Sequence, residues 1–256
     1  MATPAVATVA ATAPSDYGLC WEKFWSTVSE DPQDVLWNAS HDEAVAIDWE
    51  IMKGFVLAEK LPLVDVGCGD GTQTTFFSGR VLERAIGVDV SAAAIDIANR
   101  TKAADGVTYQ VLDLLDEKAC RDFHDRVVGG DSHVYMRGVL MQFSLSDRPA
   151  AAENLKIIMG SRGCMYLHEY VPQTKAYYGS IFQKQGMPMG FKRVLDSGIK
   201  PGGIARDEMR MLFKGYDVLQ ESDQHTMSTI IALEGGEADV ARAPGFYMLL
   251  RKLSDK

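Results

Sequence analysis

The residues whose type and spacing best suit chemistry are Gly67, Gly69 and Gly71, which follow directly on the apolar run Leu63-Val64-Asp65-Val66. Glycine has no side chain to keep a ligand off the main chain. A turn built this way leaves backbone N–H groups for a bound nucleotide-like molecule. The nearest rival is the nicotinamide-binding turn of an oxidoreductase, which needs Gly-x-Gly-x-x-Gly/Ala so that helix and strand pack closely. Counting from Gly67, its third small position is Thr72, so the rival fits poorly.

Two more carboxylates follow at strand ends. The stretch Arg84-Ala85-Ile86-Gly87-Val88-Asp89-Val90-Ser91 reads as an apolar strand closed by an acid, about twenty residues after the glycines. In a parallel doubly wound sheet, consecutive strands lie side by side, so Asp89 stands over the same crevice. There it can accept both hydroxyls of a ribose, each charge-assisted bond being worth roughly 1.5–3 kcal/mol. Asp89 and Ser91 can equally cap the helix expected over 92–102. The run Val107 to Leu114 is a third strand with Asp113 near its end, and Asp116 and Glu117 then favour a helix N-terminus.

At these positions the chain resembles the class I S-adenosylmethionine (SAM)-dependent methyltransferases, whose first motif is an apolar strand with an acid followed by Gly-x-Gly-x-Gly. The resemblance implies SAM as cofactor, with Asp65 steering its methionine end and Gly67, Cys68, Gly69 and Gly71 beneath it. Asp89 and Val90 would serve the ribose, and Asp113 with the backbone at Leu114 the adenine. Arg137, at the end of the fourth strand, suits the cofactor carboxylate or an acidic substrate. Trp21 and Trp25 are four residues apart and share one helical face. In such enzymes an N-terminal helical extension folds over the cofactor, although these rings can also simply pack the extension on the core.

The implied reaction is direct in-line methyl transfer to O, N or C of a small organic molecule, in which the protein aligns the reactants and excludes water. Residues 134–147 look like the region after strand four of plant-type and bacterial small-molecule O-methyltransferases. Met141 occupies the place of their histidine base. That leaves His168 and Glu169, at the end of the fifth strand, and His225, near the end of the sixth, as candidate catalytic residues. Strand alternation sends one of the His168–Glu169 pair to the helix-covered face and the other towards the mouth. A SAM-binding regulatory or scaffold protein without catalysis is the alternative.

These residues need a Rossmann-like α/β fold: a doubly wound seven-stranded sheet with a helical N-terminal lid. Strands are expected at 63–66, 85–89, 108–112, 133–136, 164–170, 216–220 (extending towards 226) and 246–251. The last would be the antiparallel strand inserted beside the sixth. A helix starts near Ser146-Asp147-Arg148-Pro149 and ends at Met159-Gly160. Residues 1–14 read as a mobile tail, 15–60 as the lid, and 61–256 as the SAM-binding domain. An insertion at about 172–205, rich in Met and aromatic residues, would roof the substrate and suit an apolar or aromatic molecule.

Bulk properties narrow the classes. The 256-residue chain carries a formal net charge of −9, which disfavours sequence-independent nucleic-acid binding. No Asn-Pro-Pro-Tyr, Asp-Pro-Pro-Tyr or Pro-Cys motif of base methylation is found. No apolar run is long enough to cross a bilayer. Cys20, Cys68, Cys120 and Cys164 are scattered, without metal-ligand spacing or a disulfide framework, and the tail has no positive residue. The expected setting is the cytoplasm, with a small-molecule substrate as partner and a homodimer left open.

Overall fold

The computed structural model describes residues 15–29, 34–38, 41–200, 202–231 and 239–253. The expected mobile tail at 1–14 lies outside the described residues. Seven strands form one sheet: β1 (Leu63–Val66), β2 (Ala85–Asp89), β3 (Val107–Val111), β4 (His133–Arg137), β5 (Cys164–Tyr170), β6 (Tyr216–Ile231) and β7 (Asp239–Lys252). Their spatial order is β3-β2-β1-β4-β5-β7-β6. The first five run parallel, and β7 lies antiparallel between β5 and β6, as the resemblance implied.

Alternation along the strands feeds two apolar layers. Val64, Ile86, Val134, Met136 and Met165 face one side, where Phe123, Leu155 and Met209 cover them. Leu63, Ala85, Tyr135, Tyr166 and Tyr247 face the other, against Trp49, Met52 and Phe77. The first layer is supplied by helices α5 (Glu117–Phe123), α6 (Arg148–Met159) and α9 (Arg206–Leu212), and the second by α2 (His41–Val56) and the turn after α3 (Thr72–Phe76). Burial on both faces explains why the central strands read as continuous apolar runs. Among the described residues, no helix is long and apolar enough to cross a membrane.

A third cluster joins α1 (Asp16–Trp25) to the insertion, which folds as α7 (Thr174–Gln185) and α8 (Met189–Asp196). Phe24, Trp25, Tyr178, Phe191 and Val194 pack there with Ile231, Ala241 and Ala243. This cluster accounts for the length of the β6–β7 hairpin, which exceeds the expected strands. Beyond Thr226 the hairpin leaves the sheet centre and buries Met227, Ser228, Thr229 and Ile231, and Pro244-Gly245 is a paired part of β7.

Local capping follows the sequence in most places. Ser91 caps α4 (Ala92–Thr101), its Oγ accepting from Ala94 N at 3.1 Å. Asp116 does the same for α5 at Ala119 N, 2.9 Å. Asp147 does not cap α6; its Oδ2 instead accepts from the Tyr17 hydroxyl of α1 at 2.9 Å.

Candidate active site

A cavity of about 430 Å³ opens at the carboxyl ends of β1, β2 and β4, within the size range of small-ligand pockets. Gly67, Cys68, Gly69, Asp89, Val90, Asp113, Leu114, Arg137, Trp21 and Trp25 all line it. Asp65 and Gly71 do not.

The glycine turn is built differently from the sequence expectation. Gly67, Gly69 and Gly71 have φ of 76°, 55° and 78°, a region that glycine occupies without strain. Their N–H groups are not left for a ligand. Gly67 N and Cys68 N donate to Val88 O, Gly71 N to Cys68 O, and Gly69 N to Asp89 Oδ2 at 3.0 Å. The space over each glycine is taken by a protein side chain: a Cβ would lie 2.4 Å from Val139 Cγ2 at Gly67, 2.6 Å from Trp25 Cζ2 at Gly69, and 2.6 Å from Tyr109 Cε1 at Gly71. Tyr109 braces the turn, its hydroxyl 2.9 Å from Thr75 Oγ1 and donating to Gly71 O at 3.2 Å. Val139 and Trp25, which cover Gly67 and Gly69, themselves line the cavity.

Asp89 joins turn to helix, since its other oxygen accepts from Ser91 N at 2.9 Å. Each oxygen retains a second lone pair, so the cap and a ligand contact are compatible. Burial raises its carboxyl to about 6, against the N–H groups of Ser91, Gly69 and Val90, with Glu22 adding to the rise. Asp113 also accepts from two backbone amides, Leu115 N at 2.9 Å and Ser15 N at 3.1 Å. Asp65 sits behind the turn, 1% exposed, and accepts from Thr74 Oγ1 at 2.6 Å. Burial pushes it up to about 7, Asp89 and Asp70 adding to the shift and the Thr74 hydroxyl opposing it. It reaches the cavity only through the turn it supports.

None of His168, Glu169 and His225 lines the cavity; the expectation that His168 or Glu169 stands near the mouth is corrected. Strand β5 is interior, with β4 and β7 beside it, and both side chains are buried. Glu169 accepts three backbone N–H groups, from Val139 (3.1 Å), Leu140 (2.8 Å) and Met141 (3.2 Å). It therefore shapes the loop after β4, which sets Val139 and Met141 in the cavity wall. Burial brings its carboxyl to about 7, opposed by those three amides. On the opposite face, His225 Nε2 lies 3.2 Å from Asp48 Oδ1, and His168 Nδ1 lies 3.7 Å from the same atom. Burial pushes His168 down to about 4, with Arg137 and His225 adding to the shift and Asp48 opposing it.

Several lining residues were not singled out from sequence. Gln142 follows Met141, and Asn38, whose Nδ2 donates to Asp70 Oδ2 at 2.8 Å, closes the wall near the turn. Tyr170 is another, and it forms an aromatic wall with Tyr178, Phe182 and Phe191 of the insertion expected to roof the substrate. Two buried polar atoms of lining residues, Arg137 Nε and Gln142 Oε1, have no partner in the protein, as expected where a polar ligand completes a site. Helix α1 is fastened beside the glycine turn: Glu22 Oε2 accepts from Ser91 Oγ (2.7 Å) and Ala93 N (3.1 Å), and Ser144 N donates to the Tyr17 hydroxyl (2.7 Å).

The same architecture recurs in known proteins. A family model described as a methyltransferase domain matches residues 63–159. A SAM-dependent methyltransferase from Anabaena variabilis ATCC 29413 superposes with a TM-score of 0.84 at 28% identity, covering 96% of this chain and 100% of that one. A structure concerned with conversion of a disulfide bond into a thioacetal group during echinomycin biosynthesis gives 0.60 at 17% identity, covering 80% and 81%. Magnesium protoporphyrin IX methyltransferase from Synechocystis PCC 6803, with S-adenosylhomocysteine (SAH) bound, gives 0.56 at 13% identity, covering 91% and 93%. A comparison with curated protein sequences found no match. The parallel sheet with its inserted antiparallel strand and the glycine turn have the fold of the class I SAM-dependent methyltransferases, and residues 63–159 match a methyltransferase domain.

Proposed function

We propose that this enzyme methylates a small apolar or aromatic molecule by direct in-line transfer from SAM. The observation that carries the reading is the unlike character of the two ends of one cavity. One end holds the glycine turn, Asp89, Asp113 and Arg137; the other holds Tyr170, Tyr178, Phe182, Phe191 and Met227. When bound, SAM supplies a methyl group made electrophilic by its sulfonium.

The chain's own residues then have separable tasks. Asp89, beside Val90, accepts from the ribose hydroxyls with the lone pairs left over from its cap. Asp113 and the backbone at Leu114 take the adenine edge, and Arg137 the carboxylate. Gly67 and Gly69, with Cys68 between them, bring the main chain of the turn to the cavity wall, while Asp65 and Gly71 support the turn from behind. Trp21 and Trp25 close the cavity from α1, the lid of the 15–60 segment, and α7 and α8 roof the substrate.

Among the described residues lining the cavity there is no histidine and no glutamate. This supports catalysis by positioning, acting on a nucleophile already deprotonated or neutral near pH 7, such as an acidic phenol, a thiol or an unprotonated nitrogen. The test pairs calorimetry with SAH and turnover of labelled SAM across a panel of phenols, thiols and amines. Binding with turnover of at least one class supports the reading; binding with no turnover of any class would leave a SAM-binding regulator.

A further inference from the structure

Outside the cavity, one group of buried side chains has no part in the proposed reaction. Asp48 on α2, His168 on β5 and His225 on β6 each bring a potential ligand atom to a common point, all three within 4.8 Å of one another. His168 is 1% exposed, and neither of its ring nitrogens has a hydrogen-bond partner. Buried imidazoles normally satisfy at least one nitrogen, so an enclosed ring with two orphans points to a missing bridging group.

We propose that Asp48, His168 and His225 form a divalent transition-metal site of the zinc type, tying α2 to β5 and β6. The spacing fits. Asp48 Oδ1 is 3.2 Å from His225 Nε2 and 3.7 Å from His168 Nδ1. Oxygen and nitrogen ligands at about 2.0–2.2 Å from a tetrahedral ion stand roughly 3.3–3.6 Å apart. Two imidazoles and one carboxylate suit zinc and its first-row neighbours; calcium and magnesium prefer all-oxygen shells.

The surroundings are those of a metal ligand set. Tyr135 and Tyr166 donate their hydroxyls to Asp48, at 2.8 Å to Oδ2 and 2.6 Å to Oδ1, and such outer bonds orient a ligating carboxylate. His225 keeps 17% of its side chain exposed, giving an ion a way in. The ligands are far apart in sequence, 177 residues separating Asp48 from His225, so bound metal would cross-link a helix before the sheet to its last hairpin.

The test uses full-length protein, stripped with chelator and titrated with Co²⁺ and then Zn²⁺. Expected are one equivalent of Co²⁺ with intensified visible absorption, displacement by Zn²⁺, and a rise in thermal midpoint of about 5–10 °C at metal concentrations a hundredfold above Kd. His225→Ala and Asp48→Asn, shown folded by circular dichroism, should lose the cobalt spectrum. X-ray absorption on zinc-loaded wild type checks the ligands independently of variant folding, and should show two imidazoles with oxygen. No stoichiometric uptake by folded wild type, sulfur in the shell, or full uptake by folded His225→Ala would overturn the proposal.

Discussion

Replacing Asp89 by asparagine separates its two tasks. In the wild type its oxygens take Gly69 N and Ser91 N, so an amide leaves one of these buried N–H groups facing another donor, a cost of about 1–3 kcal/mol. Against that, a carboxyl held near 6 instead of 3.8 carries roughly 3 kcal/mol of penalty for being charged at pH 7, which the amide removes. The two nearly cancel, and the variant should stay within about 2 kcal/mol of wild-type stability in urea. SAH affinity, which depends on the charged acceptor, should fall by the 1.5–3 kcal/mol of a charge-assisted bond, about tenfold to 160-fold in Kd. The pH dependence supplies a second check. A raised carboxyl means that the folded protein holds an extra proton between about pH 4 and 6, so this group's contribution to stability declines as pH rises through that window. Ligand affinity moves the other way, rising as Asp89 ionises around pH 6 in the wild type and staying flat in Asp89→Asn. Calorimetry at pH 5, 6 and 7 reads both. Unchanged affinity in the variant, with no pH dependence in the wild type, would reduce Asp89 to a cap and refute the ribose role.

Gly69→Ala places a Cβ 2.6 Å from the Trp25 ring at a φ of 55°. It should cost about 1–3 kcal/mol in denaturant titration, and wild-type stability would show that the turn tolerates a side chain. Glu22→Ala removes the acceptor for Ser91 Oγ and Ala93 N. Hydrogen exchange in α1 should then speed up about five- to thirtyfold, from roughly 1–2 kcal/mol of lost hydrogen bonding; an unchanged rate would show that α1 is held by its aromatic packing alone. His168→Gln and His225→Gln lie off the cavity and should slow single-turnover methyl transfer less than tenfold, whereas a true general base costs 10²–10⁴; a thousandfold loss at either would restore it as the base.

The sheet was legible because its signals are local. Apolar runs ending in Asp89 and near Asp113, and Ser91 before a helical stretch, fix strands and a cap within a few residues of chain. What the turn does with its amides was not legible: Val88 O, which takes two of them, reads only as one more apolar strand residue. Glu169 misled because alternation gives a face and not a neighbour. Its partners are the amides of a loop about thirty residues earlier, brought beside it by the β4–β5 pairing. The helices of the insertion were not legible because α7 fully buries only Thr174 and Tyr178, while its Phe182 lines the cavity against Phe191 of α8. Asp48 gave no signal at all, since a lone acid in an amphipathic helix looks like a solvated residue until the sheet brings two histidines to it.

The most direct measurement of the central claim is a crystal structure of the protein with SAH. Expected is the ligand in the cavity at the ends of β1, β2 and β4, with its ribose hydroxyls on Asp89, its adenine at Asp113 and Leu114, and its sulfur facing the chamber under α7 and α8. SAH bound elsewhere, or its ribose turned away from Asp89 towards the aromatic wall, would contradict it.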